Sequence, residues 1–232
     1  MHTTYIHPQI RSSQLLFSAL LATRLATTLL EHLTAFADRL HSAHQAGNDA
    51  VVAHLSSWCP ERISLSASDQ LALPLSVSEA RASTAREHGY RDWMEVGNES
   101  AGKRFDPLFE KAVDCVVTGE ADMLRALLTQ RPELATEHSP FGHGATLLHY
   151  VGANGVETWR QTAPSNGAEI ASILLERGAD PAASAGMYGG STALELVETS
   201  AHPAAAGTTE AIAAVLREAL EGAADAPGSD AP

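Results

Sequence analysis

The chain is short of cysteine, of aromatic residues and of positive charge, and each shortage removes a class of function. Its 232 residues include two cysteines, Cys59 and Cys115. Two thiols this far apart form neither a zinc-ligand spacing nor a disulfide framework, so reduced thiols and a cytoplasmic setting are expected. Aromatic residues make up 5% of the chain, while Ala and Leu are abundant. That balance favours helix over sheet. Fifteen Lys and Arg stand against 28 Asp and Glu, for a formal net charge of −13. A nucleic-acid binder needs a basic face for phosphate, and an anionic membrane surface repels such a chain, so neither partner is expected. The apolar run Leu15–Leu30 contains Arg24 and several Thr. It is too interrupted for a membrane span and continues as a helical pattern, which separates it from a signal sequence.

Catalytic and cofactor motifs are also missing. There is no G-x-G-x-x-G, no P-loop lysine and no G-x-S-x-G nucleophile turn. Gly186, Gly189 and Gly190 around Met187-Tyr188 read as a turn. His41 and His44, three apart on a helix, with His54 nearby, lack the cysteine or positioned carboxylate of a metal site and read as solvated histidines. No catalytic residue, metal or cofactor is assigned.

What is present is a helical pattern centred on residues 146–181. It runs Thr146-Leu147-Leu148-His149, Gly152, Asn154-Gly155, then Glu169-Ile170-Ala171-Ser172-Ile173-Leu174-Leu175 and Gly178-Ala179-Asp180-Pro181. Ile170, Ile173 and Leu174 recur at helical spacing and give one apolar face that a single helix pair cannot bury. Weaker echoes flank it. Ala112–Gly119 with Met123–Leu128 precede it, and Thr192–Leu196 with Ile212, Val215, Leu216 and Leu220 follow. The wording resembles an ankyrin repeat, T-P-L-H followed by an apolar second helix and G-A-D. The resemblance covers roughly residues 105–221, and it is similar in wording to a group of bacterial ankyrin-repeat proteins. It implies a mostly α fold: an ankyrin-like helix-pair solenoid of about three repeats with an N-terminal helical cap. It also implies a structural role for His149 and carries over no catalytic residue.

The expected domains are an N-terminal helical extension over 1–97, repeats over 98–221 and a disordered tail over 222–232. Within the first, Met1–Ile10 reads as a loose tail and Ser12 or Ser13 caps one long helix running to about Ala46. Short helices follow at 49–57 and near 68–72, then one from Ser76 or Ser78 to about His88. Tyr90 and Trp93 are expected to anchor this extension on the first repeat. Residues 98–104 read as a polar linker. Thr146 and Thr192 lie 46 residues apart against an ankyrin period of 33, which marks an insertion at 156–166.

Insertions at one repeat position map to one face, often a functional one. The candidate contact residues lie around the central repeat: His143 and Tyr150, Glu157, Trp159 and Arg160 in the insertion, and Met187 and Tyr188 in the next finger. They read either as packing of these loops or as partner contacts, since Trp, Tyr and Arg dominate interface energetics. Residues 1–103 carry 8 Lys/Arg and 10 Asp/Glu, and the remainder 7 and 18, so the repeat half is acidic. This suits a neutral-to-basic protein partner. Two readings stay open. One is a non-enzymatic protein-binding module. The other is a small-molecule-binding protein or enzyme with a pocket between the N-terminal helices and the repeats. Homodimerisation through the first helix is compatible with either.

Overall fold

A computed structural model describes residues 2–225. The described residues are mostly helical, and none of their helices is long and apolar enough to cross a membrane. The N-terminal half contains α1 (Pro8–Thr23), α2 (Leu29–Gln45), α3 (Val52–Trp58), α4 (Ala67–Ala72), α5 (Val77–Glu87) and α6 (Trp93–Ser100). The single long first helix of the sequence reading is in fact two. A 3₁₀ turn at Arg24–Ala26 ends α1, and Thr28 starts α2 through a capping box with Glu31. The apolar stripe runs on across this break, but the cap satisfies orphan N–H groups only if the chain restarts there. The break also has a tertiary cause: Leu29 N–H donates to the Lys103 carbonyl at 2.8 Å, and Arg24 is drawn to acidic groups on a later helix.

The core of this half joins Phe17, Phe36, Leu40, Leu55 and Leu75, with Phe17 and Phe36 stacked at 3.7 Å between ring centroids. Leu15 and Leu25 stay exposed on the outer side. Tyr90 is buried with Phe105 and Phe141 and accepts a hydrogen bond from Ser100 at 3.0 Å. The expected linker therefore begins inside α6, and Ser100 is fully covered.

The C-terminal half is built of paired helices: α7 (Pro107–Thr118) with α8 (Ala121–Gln130), and α9 (Leu147–Tyr150) with α10 (Gly167–Glu176). Then come α11 (Ala193–Thr199), α12 (Ala201–Ala206) and α13 (Thr209–Asp225). One apolar core joins Leu124, Leu128, Leu148, Ile170, Leu174, Leu196, Ile212 and Leu216. Ile170 and Ile212 thus share a core, as the periodicity requires. Contact is close: a Cβ on Gly167 would lie 2.8 Å from Ile212 Cδ1. Between pairs the chain makes hairpin-like turns, one of them the two-stranded sheet β3 (Ser184–Ala185) with β4 (Ser191–Thr192). Residues 222–225 continue α13, correcting the expected end of order at 222; the rest of that tail lies outside the described residues.

The N-terminal segment is not loose either. β1 (Thr4–Tyr5) pairs antiparallel with β2 (Ala163–Pro164) inside the 156–166 insertion. The two halves meet again at Gly89, where His143 N–H donates to the His88 carbonyl at 3.1 Å. Gly89 has φ +80°, and a Cβ there would sit 2.1 Å from the His143 backbone nitrogen. Gly89→Ala combines a left-handed backbone with a backbone clash, and should cost about 2–5 kcal/mol. Urea denaturation measures this; an unchanged midpoint would mean that the turn carrying His143 does not dock on Gly89.

Candidate functional site: a buried ionic junction

The insertion leaves α9, turns through a 3₁₀ segment at Thr158–Arg160 and returns to α10 along the N-terminal helices. Trp159 enters the N-terminal core, its ring 5.3 Å from Phe36 and 5.7 Å from His88 between centroids. Its carbonyl accepts from Gln14 Nε2 at 2.8 Å. The neighbouring Arg160 points the other way, into a set of buried carboxylates. Its Nη1 donates to Glu157 Oε1 at 2.8 Å, and its Nη2 donates to Glu110 Oε2 on α7. The same Glu110 oxygen accepts from Arg24 Nε at 3.0 Å, while Arg24 Nη2 donates to Asp114 at 3.0 Å. Three segments distant in sequence thus converge on one carboxylate.

A second carboxylate does similar work. Glu87 on α5 accepts the Thr158 N–H at 2.9 Å and lies 3.1 Å from His54 Nδ1. His54 Nε2 faces Ser83 Oγ at 3.0 Å. His143 Nε2 lies 3.8 Å from Glu157 Oε2, and the Arg160 guanidinium sits 5.6 Å from the Tyr150 ring centre. Burial raises the Glu87 carboxyl, yet the neighbouring His54 and His88 and the hydrogen bond from Thr158 together outweigh it and bring the pKa to about 2. Burial likewise raises Glu157, and Arg160, His143 and His88 together more than offset it. Arg160 itself is destabilised as a cation by burial but held charged by Glu110 and Glu157. Burial lowers His143 to about 4 and His32 to about 3. Tyr150 is pushed well above its usual range by burial and by Glu157.

Six of the seven expected contact residues are therefore interior. His143, Tyr150, Glu157, Trp159 and Arg160 gather at the junction, Met187 joins the helix-pair core, and only Tyr188 is exposed, at 67%. This corrects the expectation that the insertion presents its aromatic and charged groups to solvent. The physical reason is that those groups have partners within the chain: a Phe-lined core for Trp159 and Glu110 for Arg160. Sequence reasoning missed Glu110, Arg24, Glu87 and His88. A lone buried charge has no local signature, because its partner lies many residues away. His44 and His54 are also buried rather than solvated, His44 facing the Gln70 carbonyl at 3.0 Å. Among the described residues, no group of three or more His, Cys, Asp or Glu could hold a metal ion.

Chemically, the junction is a closed ionic lock. Its central acids and bases, Glu87, Glu110, Glu157, His54, His143 and Arg160, face one another and are each at most 3% exposed, while Arg24 and Asp114 lie toward its edge. A shallow surface cleft of about 250 Å³ lies above it, between the two halves, lined by His7, Ser56, Thr158, Gln161 and His202. His149 is structural, as its position implies: its Nδ1 accepts the Thr146 N–H at 3.1 Å and its Nε2 reaches the Ser191 carbonyl at 3.2 Å. Comparison with family models, with curated proteins and with solved structures finds no match to this chain.

Two predictions follow from the lock. Glu110→Gln leaves Arg24 and Arg160 short of a counter-charge in the interior and should cost about 3–5 kcal/mol, read by denaturant titration. An unchanged stability would mean that the junction is solvated. The second concerns pH. In the unfolded chain His32 and His143 bind protons below about 6.5, whereas folded they stay neutral down to about 3 and about 4. The unfolded state binds more protons in between, so stability falls as pH drops from about 6.5 to about 4. His32→Phe fits the same aromatic surroundings, against Phe105 at 5.1 Å. It should reduce that slope by about 1.4 kcal/mol per pH unit; an unaltered slope would show that His32 is not a proton-excluding group.

Proposed function

We propose that this chain is a non-enzymatic protein-binding module built as an ankyrin-like stack with an N-terminal helical cap. Several observations support the ankyrin reading. His149 ties its own turn to the following one, Gly155 and Gly178 take positive φ, and successive helix pairs share one core. Hairpin turns separate the pairs, and His138 bridges Thr146 as β3 pairs β4. The stack departs from the pattern at α9, which is one turn long and lets the insertion cross to the N-terminal helices.

One observation carries the binding reading: Tyr188 at the tip of the β3–β4 turn. Two non-glycine residues in the described chain have positive φ, Ala153 at 46° and Tyr188 at 52°. The Tyr188 hydroxyl donates to Asn154 Oδ1 at 2.8 Å, and Asn154 Nδ2 donates to Thr199 Oγ1 at 3.2 Å. A left-handed tyrosine costs about 1–2 kcal/mol, and such strain concentrates at sites where function requires it. The result is a tethered, solvent-facing aromatic linked through Asn154 to Thr199 at the end of α11, a helix that carries the exposed Glu195 and Glu198. Tyrosine in this setting is an interface anchor, and the acidic balance of the C-terminal half favours a basic partner surface.

Photocross-linking from position 188 in source cells tests this, with Met94, 68% exposed on the N-terminal half, as the control position. A discrete adduct from 188 and not from 94 is expected. Tyr188→Gly relieves the left-handed strain, so it should keep stability within about 1 kcal/mol of the parent while losing capture of the cross-linked partner. Identical adducts from both positions, or capture that survives the glycine variant, would remove Tyr188 from recognition.

A further inference from the structure

We propose that the trough holding residues 2–5 is a docking groove for an extended, basic and hydroxyl-bearing segment of a partner polypeptide, with the chain's own β1 as its resident stand-in. This rests on the reading of the chain as a protein-binding module, but it uses a different face from Tyr188, so either can fail without the other.

The strand's attachments are of the kind used in strand addition, where main-chain bonds hold a guest and short side chains set its register. Ser165 N–H donates to the Thr3 carbonyl at 2.7 Å, and Thr3 N–H donates to Ser165 Oγ at 3.0 Å. Thr4 lies opposite Pro164 and Tyr5 opposite Ala163. Pro164 has no N–H to give, so Ser165, on one side of it, and Ala163, paired with Tyr5 on the other, carry the main-chain contacts to an incoming strand. Beneath the strand, Thr4 Oγ1 donates to the Thr118 carbonyl at 3.1 Å and His2 Nε2 approaches the same oxygen at 2.8 Å. That oxygen belongs to the last turn of α7, where carbonyls lack helical partners and need an outside donor. A guest must therefore bring a hydroxyl or a basic side chain at alternate positions, as His2 and Thr4 do.

The resident strand is lightly held. His2 and Thr3 are exposed, and Thr4 and Tyr5 are half-buried. A segment with so little apolar burial opens at low cost compared with the helix core. Open space flanks it on both sides. Toward α12 lies a cavity of about 300 Å³ bordered by Tyr5, Ala205 and Ala206. Beyond His2 lies a groove of about 480 Å³ bordered by Glu120, Asp122, Met123 and Glu169. Lys111 and Arg125 pair with these carboxylates at 2.9–3.5 Å. Those pairs are solvent-exposed, and such pairs hold their partners weakly. A basic residue placed ahead of the His2 position meets three carboxylates and the flank of an exposed methionine.

The test uses the full chain and a fluorescent peptide in which two lysines precede the sequence of residues 2–6, read by anisotropy. The covalently attached strand competes at high effective concentration, so the peptide should bind the parent weakly. A His2→Ala/Thr4→Val variant, stripped of both side-chain donors, should bind it about tenfold more tightly. A peptide with glutamates in place of the lysines should bind less, and adding Ser165→Pro should abolish binding. Equal affinity for parent and variant, or no binding to a variant that retains native helicity and melting, overturns the proposal. Hydrogen exchange on the parent gives an independent reading that needs no variant. The Ser165 amide should exchange much faster than the Ile170 amide in α10 and slow down when the peptide is added. Protection of Ser165 equal to that of Ile170 would show a strand that does not open. A concentration-dependent dimer formed by exchange of residues 2–5 would assign the groove to a second copy instead, and so also overturn it.

Discussion

One carboxylate oxygen, Glu110 Oε2, sets the arrangement of the two halves. It accepts from Arg24, at the break between α1 and α2, and from Arg160, in the insertion between α9 and α10. A buried carboxylate with two guanidinium donors is strongly geometric, since each planar fork tolerates little displacement. Such a group contributes little net stability, because desolvating three charges offsets most of their attraction. Its consequence is positional. Arg24 can reach Glu110 only if the first helical stripe is interrupted, and Arg160 can reach it only if the insertion folds back over α7. Alternative packings of the N-terminal helices would strand one of these charges in the interior, which is far more costly than leaving it in water.

The apolar stabilisation comes from next door. Trp159, adjacent to Arg160, leaves its own half and fills the core around Phe36 and Leu40. Phe141, from the turn before α9, does likewise against Tyr90 and Phe105. The C-terminal half therefore supplies side chains that complete the interior of the N-terminal half. A boundary drawn near residue 98 divides the chain by sequence pattern and cuts across shared cores. The insertion, which looks dispensable as an excess over a repeat period, is the segment that joins them. It links to the N-terminal half through Trp159, to α5 through Thr158, to α7 through Arg160 and to β1 through Ala163.

What could be read from the sequence divides along the range of the interaction. Local chemistry was legible. Ser76 caps α5 with Glu79, Gly89 ends it, and the Ile170 and Ile212 faces meet as their spacing requires. The break in the first helix was legible too, in Thr28-x-x-Glu31, but an unbroken apolar stripe outweighs one cap when periodicity alone is scored. The junction was not legible. Trp159 and Arg160 in a polar stretch have the composition of an exposed recognition loop, and nothing within ten residues reveals that Glu110 and Phe36 await them. The same residue types that anchor interfaces between proteins here anchor an interface within one.

That internal use bears on where recognition can occur. The junction's charged groups are buried against one another, so a partner competing for them would have to unseat Trp159 and expose several charges together. Contacts that cost less lie where the fold has left donors, acceptors or strain on its surface. The Tyr188 tip meets that condition, since its left-handed backbone is maintained by contacts with Asn154 and Gly155 and its ring remains in solvent. The trough under β1 meets it in another way, because a helix-end carbonyl and the edge at Ala163–Ser165 are served there by the short segment 2–5, which has little buried surface. Both lie on the acidic half of the chain. Selection for a rigid interior and for adaptable surface contacts thus falls on different residues, and the ionic lock is what keeps them separate.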